Sequence, residues 1–276
     1  MRGTTAREAL ESALVPLEAA GVDTPRLDAQ VLLAHVLGVD RSALFLAPRR
    51  ELTPDEAGRF RDLVTRRWRE REPVAYLVGT KGFRRLELDV DPRVLVPRPE
   101  TEHLVEAALE LPRGARVADV GTGSGAVALA LKAERPDLEL IATDASPEAL
   151  AVAAANARRL GLEVELLEGD LLEPVSGRLD AVLSNPPYVA DGDRGTLAPD
   201  ITRHEPELAL YAGADGLSLI RRLAPAAAAT GAALLALEVG FGQAGAVAEI
   251  VRGAGFGATE AVADLAGIER VVVGRR

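Results

Sequence analysis

The chain of 276 residues contains no cysteine, one methionine, one tryptophan, three histidines and only two lysines, Lys81 and Lys132. Without cysteine there can be no disulfide, no thiolate nucleophile and no cysteine-based zinc or iron–sulfur centre. His35, His103 and His204 are too scattered to form a ligand motif. With so few lysines, nearly all positive charge is arginine, which reads as a compositional bias of the genome and not as a function. Aromatic residues make up 3%, so the core has to be built from Leu, Val, Ile and Ala, and a hydrophobic content of 48% is ample for that. No run reaches the roughly 18 apolar residues that span a bilayer. The N-terminal MRGTTAREALESAL carries acids and lacks the apolar stretch of a signal peptide. A cytoplasmic monomer is therefore the expectation. A basic surplus is also missing. The net charge is −10, and residues 1–80 balance 12 Arg against 12 acids, so the whole excess lies in the remainder. Free DNA or RNA as the main ligand would call for the opposite sign.

What is present falls into two textures. Residues 4–72 read as helices. Thr5 with Glu8 makes a capping box, followed by Leu10, Leu14 and Leu17 at helical spacing. Thr24-Pro25 opens a second helix, apolar at Leu27, Val31, Leu32, Val36 and Leu37 and ending at Gly38. Thr53-Pro54 opens a third that runs through Trp68. Its tail, RFRDLVTRRWRER, holds six Arg and reads as a solvated face, with a partner or phosphate contact as the alternative. Residues 84–97 alternate in polarity and predict a strand pair turning at Asp91-Pro92. From about residue 99, short apolar runs alternate with helical stretches, the pattern of a parallel sheet covered on both faces. Two last strands, near 256–263 and 269–274, predict an antiparallel hairpin. The expected division is a helical region over 1–80, a β-hairpin linker over 81–98 and an α/β domain over 99–276.

The first βα turn of that domain reads DVGTGSGAVALA, with Gly121, Gly123 and Gly125 after Asp119. Such a turn lets backbone approach a ligand closely at a strand's carboxyl end. Its G-x-G-x-G spacing differs from the dinucleotide fingerprint. With Asp144 closing the next strand, where a carboxylate can accept both ribose hydroxyls, it suits a nucleoside. Asp170, at the end of VELLEGD, can accept from an adenine amino group or merely cap the following turn.

The fourth strand of the unit, LDAVLS, ends in SNPPYV. Adjacent prolines cannot continue a central strand, so the motif is at least a turn. It is also a rigid pair of acceptors. The Asn185 side-chain carbonyl and an outward-pointing backbone carbonyl of the proline pair can receive both N–H bonds of one planar NH₂ group. Such a nitrogen is a poor nucleophile, and holding it aims its lone pair at an electrophile by positioning alone. Pro187 stiffens the turn, and Tyr188 offers a flat face for a π-system or a cationic methyl donor.

The combination DVGTGSG, Asp144 and NPPY resembles the class I S-adenosylmethionine-dependent methyltransferases that act on planar nitrogens. PRPETE (97–102), RHEPELAL (203–210), LEVGFGQ (237–243) and DLAGIERVVVGR (264–275) narrow the resemblance to the release-factor glutamine N5-methyltransferases, the HemK/PrmC family, over essentially the whole chain. The resemblance implies a Rossmann-like methyltransferase domain preceded by a small helical domain. It implies S-adenosylmethionine as cofactor, with S-adenosylhomocysteine as its product, and methylation of the glutamine amide in the GGQ motif of peptide chain release factors. By resemblance Gly121, Thr122, Gly123, Ser124 and Gly125 wrap the methionine portion, Asp144 takes the ribose, and Asp170 and Leu171 meet the adenine. Leu171 stands where the family often has an aromatic residue. Asn185 and the Pro186 carbonyl bind the substrate amide, and Pro187 and Tyr188 complete its pocket. Thr101 is a candidate contact to the donor and Phe83 a candidate wall of the methyl pocket. Arg203, Glu205 and Glu238 either shape the mouth or form structural pairs, and Asp264 and Arg270 read as holding the fold. Methylation of an exocyclic amino group of adenine or guanine in nucleic acid is the competing activity, and a non-catalytic nucleoside-binding module the competing class.

Overall fold

The computed structural model describes residues 3–276. Met1 and Arg2, which begin the stretch read for a leader, lie outside them. The chain forms two compact units. One runs to Gly79 and takes in Ala198–His204, and the other comprises Thr80–Leu197 and Glu205–Arg276.

The first unit is helical: α1 (Ala6–Ala19), α2 (Pro25–Leu37), α3 (Arg41–Leu46), α4 (Pro54–Thr65), α5 (Val74–Val78) and, from later in the chain, α9 (Pro199–His204). The capping box is formed at α1, where the Glu8 N–H donates to the Thr5 hydroxyl and the Thr5 N–H to the Glu8 carboxylate. The buried stripe of α1 is Ala6, Ala9, Ala13 and Leu17. Leu10 and Leu14 are only half-buried, because small alanines let α2 approach along their side of the helix. α2 ends where Gly38 takes φ +63°. The short α3 escaped the reading because six residues give too little periodicity to register.

The arginine-rich tail departs from the expected solvated face. After α4 the chain continues as a wider π-type turn, Arg66–Glu70, which changes the face that following residues occupy. Arg59, Arg61, Arg66 and Arg69 are exposed as read. Arg67 turns inward: its Nε donates to Asp28 at 2.7 Å and its Nη1 to Asp200 at 2.8 Å, and the Arg67 and Asp28 side chains are each 8% exposed. Arg71 also binds Asp200, at 2.6 Å. These carboxylates come from α2 and α9, distant in sequence, so no local pattern announced them.

The second unit opens with a hairpin of β1 (Thr80–Phe83) and β2 (Leu86–Asp89). Its turn is Arg84-Arg85, not Asp91-Pro92. Arg84 adopts φ +48°, and a two-residue turn of this kind matches the twist of the strands it joins. Arg84 is held there by its N–H on Glu102 and its guanidinium on Glu106 and Glu134. Past β2, residues 90–98 are irregular, since Pro92 has no N–H for a ladder.

The sheet comprises β3 (Arg116–Val120), β4 (Glu139–Asp144), β5 (Glu165–Glu168), β6 (Ala181–Ser184), β7 (Leu234–Glu238), β8 (Ala258–Ala263) and β9 (Glu269–Arg275), in spatial order β5-β4-β3-β6-β7-β9-β8. β3 to β7 are parallel, and β9 runs antiparallel to both its neighbours. Helices α6 (Glu102–Ala108), α7 (Ala126–Glu134), α8 (Pro147–Leu160), α10 (Ser218–Ala229) and α11 (Ala244–Gly253) complete the unit. Side chains alternate across a pleated strand, so each central strand feeds two cores. Val117, Ala181, Leu183, Leu234, Ala236, Val271 and Val273 join Leu104 of α6 and Leu129 of α7 on one face. Ala118, Val120, Val182, Leu235, Leu237 and Val272 join Leu223 of α10 and Val247 of α11 on the other. The chain leaves β3 toward β4 on one side, while β6 pairs on the other. The crevice between the carboxyl ends of β3 and β6 is therefore the place where an open α/β sheet accepts a ligand.

Removing Arg67 would strand Asp28 as a buried, unpaired charge. Arg67→Ala is expected to cost the helical unit about 3–5 kcal/mol, measured by urea denaturation at pH 7, whereas Arg69→Ala, at an exposed position, should cost under about 0.5 kcal/mol.

Candidate active site

The glycine loop leaves β3 with Gly121, Gly123 and Gly125 at φ +71°, +56° and +85°. The N–H groups of Gly121 and Thr122 donate to the Thr143 carbonyl near the end of β4, at 2.8 and 3.0 Å. The three glycines do different things. A Cβ on Gly125 would meet Leu129 at 2.9 Å and Ala153 at 3.3 Å, so this glycine lets α7 and α8 pack closely, while Gly121 and Gly123 face open space. Thr122 and Ser124 turn inward. The Thr122 hydroxyl donates to Asp119 at 2.6 Å, and the Ser124 carbonyl accepts from Asn156 at 2.9 Å. Asp119 also accepts the Ala128 N–H at 3.1 Å. Burial raises its carboxyl to about 6, against the pull of these donors. It braces the loop from beneath. Of the five loop residues expected around a cofactor, Gly121 and Gly123 line the cleft.

Asp144 lines it too. One of its oxygens accepts the Gly123 N–H and the other the Ser146 N–H, each at 2.9 Å. Burial shifts this carboxyl upward, opposed by those two N–H groups. Each oxygen keeps a second lone pair, the pair of acceptors to which a vicinal diol can donate. Open backbone at Gly121 and Gly123 beside an anchored, acceptor-only carboxylate thus fits the nucleoside and amino-acid portions of S-adenosylmethionine. Asp170 and Leu171 lie in the turn after β5, whose Gly169 N–H donates to the Asp144 carbonyl at 3.0 Å. β5 stops at Glu168, and the following turn carries Asp170 to an ion pair with Arg222 of α10. Leu171, at φ +51°, packs on the second core and accepts the Thr143 hydroxyl at its carbonyl. Among the described residues neither lines the cleft that holds Asp144.

SNPPYV arrives at the same edge. The Ser184 hydroxyl donates to the Val120 carbonyl at 2.7 Å, pinning the end of β6 to the end of β3. Asn185 and Pro187 line the cleft, and Pro186 is buried. Asn185 Nδ2 donates to Thr101 Oγ1 at 3.1 Å, Thr101 donates to Glu238 at 2.5 Å, and the Tyr188 hydroxyl lies 3.4 Å from the other Glu238 oxygen. Burial and the Glu238 charge push the Tyr188 phenol upward, so it stays protonated. Its hydroxyl points back into this network. The Tyr188 carbonyl accepts Gln243 Nε2 at 2.9 Å, and Gln243 Oε1 accepts the Gly240 N–H at 2.8 Å, which ties the loop after β6 to the loop after β7.

Thr101 commits its only proton to buried Glu238 and accepts Asn185 Nδ2, so it could meet a cofactor only through its oxygen. One expected contact is corrected here. Phe83 is 1% exposed among Leu88, Leu104 and Leu129. The early turn at Arg84 folds it under the hairpin and not toward the cleft. The paired readings hold for Glu205, which takes Arg98 at 2.7 Å on both oxygens, and for Asp264 with Arg270 at 3.0 Å. Arg203 is exposed and belongs to the helical unit. Several residues went unread. Val94 and Leu95, before PRPETE, and Pro206, Leu208 and Ala209, in RHEPELAL, supply apolar cleft walls. Asn156, fully buried, joins Asp89 of the hairpin to the glycine loop. Glu238 did carry a signal: a carboxylate ending the apolar strand LLALE is rare unless it is bonded.

Residues 8–79 match the family model of the PrmC N-terminal domain, and residues 96–208 that of the methyltransferase small domain. The release factor glutamine methyltransferase of Deinococcus radiodurans is 47% identical over 98% of both chains. That of Koribacter versatilis is 44% identical over 99% of both. The chain belongs to the release factor glutamine methyltransferase family. Two solved structures share the fold of this family member at 18% identity. A methyltransferase from Pyrococcus furiosus has a TM-score of 0.52 over 69% of this chain and 88% of its own. A T. thermophilus 16S rRNA methyltransferase, in complex with AdoMet and guanosine, has a TM-score of 0.51 over 71% and 49%.

Gly216 takes φ +75°, and a Cβ there would sit 2.2 Å from the Tyr188 carbonyl oxygen. In this family member Gly216→Ala is expected to displace the NPPY turn. Turnover should fall at least about tenfold, the equivalent of about 1.4 kcal/mol, while S-adenosylmethionine affinity in calorimetry stays within about threefold.

Proposed function

We propose that this protein transfers a methyl group from S-adenosylmethionine to the side-chain amide nitrogen of the glutamine in the GGQ motif of peptide chain release factors. The observation that carries the reading is the convergence of Gly121, Gly123, Asp144, Asn185 and Pro187 on one cleft, in a chain of this family.

Gly121, Gly123 and Asp144 would hold the cofactor, which supplies a sulfonium-bound methyl group as electrophile. The chain's own contribution is positional. Asn185 Oδ1 and the Pro186 carbonyl accept the two N–H bonds of the substrate amide and fix its plane. A glutamine amide nitrogen has its lone pair tied up in resonance. Two fixed acceptors favour its rehybridisation and aim the lone pair. They also stabilise the positive charge that grows on nitrogen before one of its protons is lost. No strong base is needed before bond formation. The apolar walls from Val94, Leu95, Pro206 and Leu208 limit water, which strengthens these hydrogen bonds.

The nucleic-acid alternative would use the same acceptors on a base amino group. The acidic balance of the catalytic half favours the protein substrate, and identity along nearly the full length of release factor methyltransferases supports it. We take the protein to act as a monomer on a release factor docked through its helical unit.

Incubation with methyl-labelled cofactor should label a release factor and leave a factor with the GGQ glutamine replaced by alanine unlabelled. Equal labelling of both would refute the reading. Asn185→Ala should lower turnover about 10²-fold with cofactor affinity within about threefold. Asp144→Ala should do the reverse, weakening cofactor binding about 10–100-fold through loss of hydrogen bonds to a charged acceptor.

A further inference from the structure

An acceptor role for Asn185 requires its amide to point one way. If the group flips, it presents an NH₂ to the substrate NH₂, and donor meets donor. Among the described residues, no side chain that lines the cleft hydrogen-bonds the Asn185 amide. The selection comes from behind. Glu238 is the last residue of β7, and strand alternation places it on the face of Leu234 and Ala236, toward α6. It is 2% exposed. There it meets Thr101, also buried, at the start of α6. An ionised carboxylate can only accept, so Thr101 must donate to it, at 2.5 Å. The threonine oxygen is then left as an acceptor, and Asn185 answers with Nδ2 at 3.1 Å. With Nδ2 committed, Oδ1 faces the cleft.

We infer that Glu238 and Thr101 are positioning residues for methyl transfer: a hydrogen-bond relay from Glu238 through Thr101 sets the amide orientation of Asn185 and so creates the acceptor that takes the substrate amide. The inference rests on the function proposed above and deepens it. Tyr188 closes the relay at its far end, its hydroxyl 3.4 Å from the second Glu238 oxygen, so the two polar side chains of NPPY, Asn185 and Tyr188, are organised around one buried carboxylate.

The relay has a direction only while Glu238 is ionised. Burial foremost raises its carboxyl to about 7. Glu100 adds to the shift, while the bonds from Thr101 and Tyr188 and the charge of Arg98 oppose it. Arg270 of β9 is the other charged group felt at this end of the sheet, through Tyr188. Below about pH 7 the protonated carboxyl can donate to Thr101. The threonine hydroxyl is then free to donate toward Asn185, which favours the flipped amide. The turnover rate should therefore fall on the acid side of pH 7, approaching tenfold per unit, and be full above it.

Three isosteric variants test this with release factor as substrate. Thr101→Val keeps shape but removes the relay. Its kcat should drop about 10–100-fold, with the dissociation constant for S-adenosylmethionine within twofold, and Thr101→Ser should restore kcat to within threefold of the parent. Glu238→Gln does not titrate and, with an NH₂ beside its carbonyl, no longer enforces the direction of the relay, so its kcat should be lowered above pH 7 and lose the acid limb between pH 6 and 8. A Thr101→Val kcat within threefold of the parent, or weakened cofactor binding as its main effect, would overturn the inference. So would an unchanged acid limb in Glu238→Gln. Glu238→Gln also stands as the test if the valine variant does not fold. A parent enzyme that fails to methylate the factor at all would instead overturn the function proposed above, and full turnover by Asn185→Ala would overturn the role of Asn185.

Discussion

The parallel pairing of β3 with β6 is the constraint from which the rest of the site follows. It sets Val120 beside Ser184 in register, and the Ser184 hydroxyl closes the gap on the Val120 carbonyl. The next residues on either strand are Gly121 and Asn185. Two turns of opposite character thus start from one point. One is made of glycines, which adopt positive φ at low cost, and the other of prolines, which fix φ. The glycine turn yields space for a ligand backbone. The proline turn yields acceptors that do not move. Both cores exist to hold this edge, since every central strand contributes alternate residues to the two apolar faces.

The chemistry suits that arrangement. An amide nitrogen is activated by where its hydrogens are held and not by removal of a proton, so the groups that face the substrate are acceptors. The carboxylates of the site stay out of its way: Asp119 under the glycine loop, Asp144 at the nucleoside end, Glu238 behind the turn. Buried carboxylates are costly unless bonded, and each is bonded by donors that also shape the cleft. The same hydrogen bonds that make burial tolerable position the reacting parts.

What the sequence disclosed depended on how local its physics is. The βα rhythm, the glycine loop, Asp144 and NPPY are each encoded within a dozen residues and stand where they were read. Contacts across the chain were not legible. Thr101 and Glu238 are 137 residues apart, and Arg67 reaches Asp200 across 133. The bond from the threonine to Glu238 was therefore not legible, and the arginine looked like part of a solvated face. The hairpin misled for a different reason. Alternation from residue 84 onward is real, but the turn lies at Arg84 because Glu102, Glu106 and Glu134 hold that arginine at positive φ. The shift of register carries Phe83 into the core. Asp170 was expected at a strand end, but β5 stops two residues earlier and the turn that follows pairs it with Arg222.

These contacts give the family-specific segments a physical meaning. NPPY alone says that a planar NH₂ group is held, which nucleic-acid enzymes also require. PRPETE supplies Thr101 and Arg98, RHEPELAL supplies Glu205 and Leu208, and LEVGFGQ supplies Glu238 and Gln243. Arg98 with Glu205 fixes one wall to another, Gln243 holds the Tyr188 carbonyl, and Glu238 with Thr101 faces Asn185. The segments that carry the resemblance to this family are thus the ones that clamp the turn and build the cleft beside it. A glutamine side chain brings little rigidity of its own, in contrast to an aromatic base that can be stacked. The ordering cost of the amide then has to be met by acceptors that are immobile beforehand, and a turn braced from three directions meets that requirement.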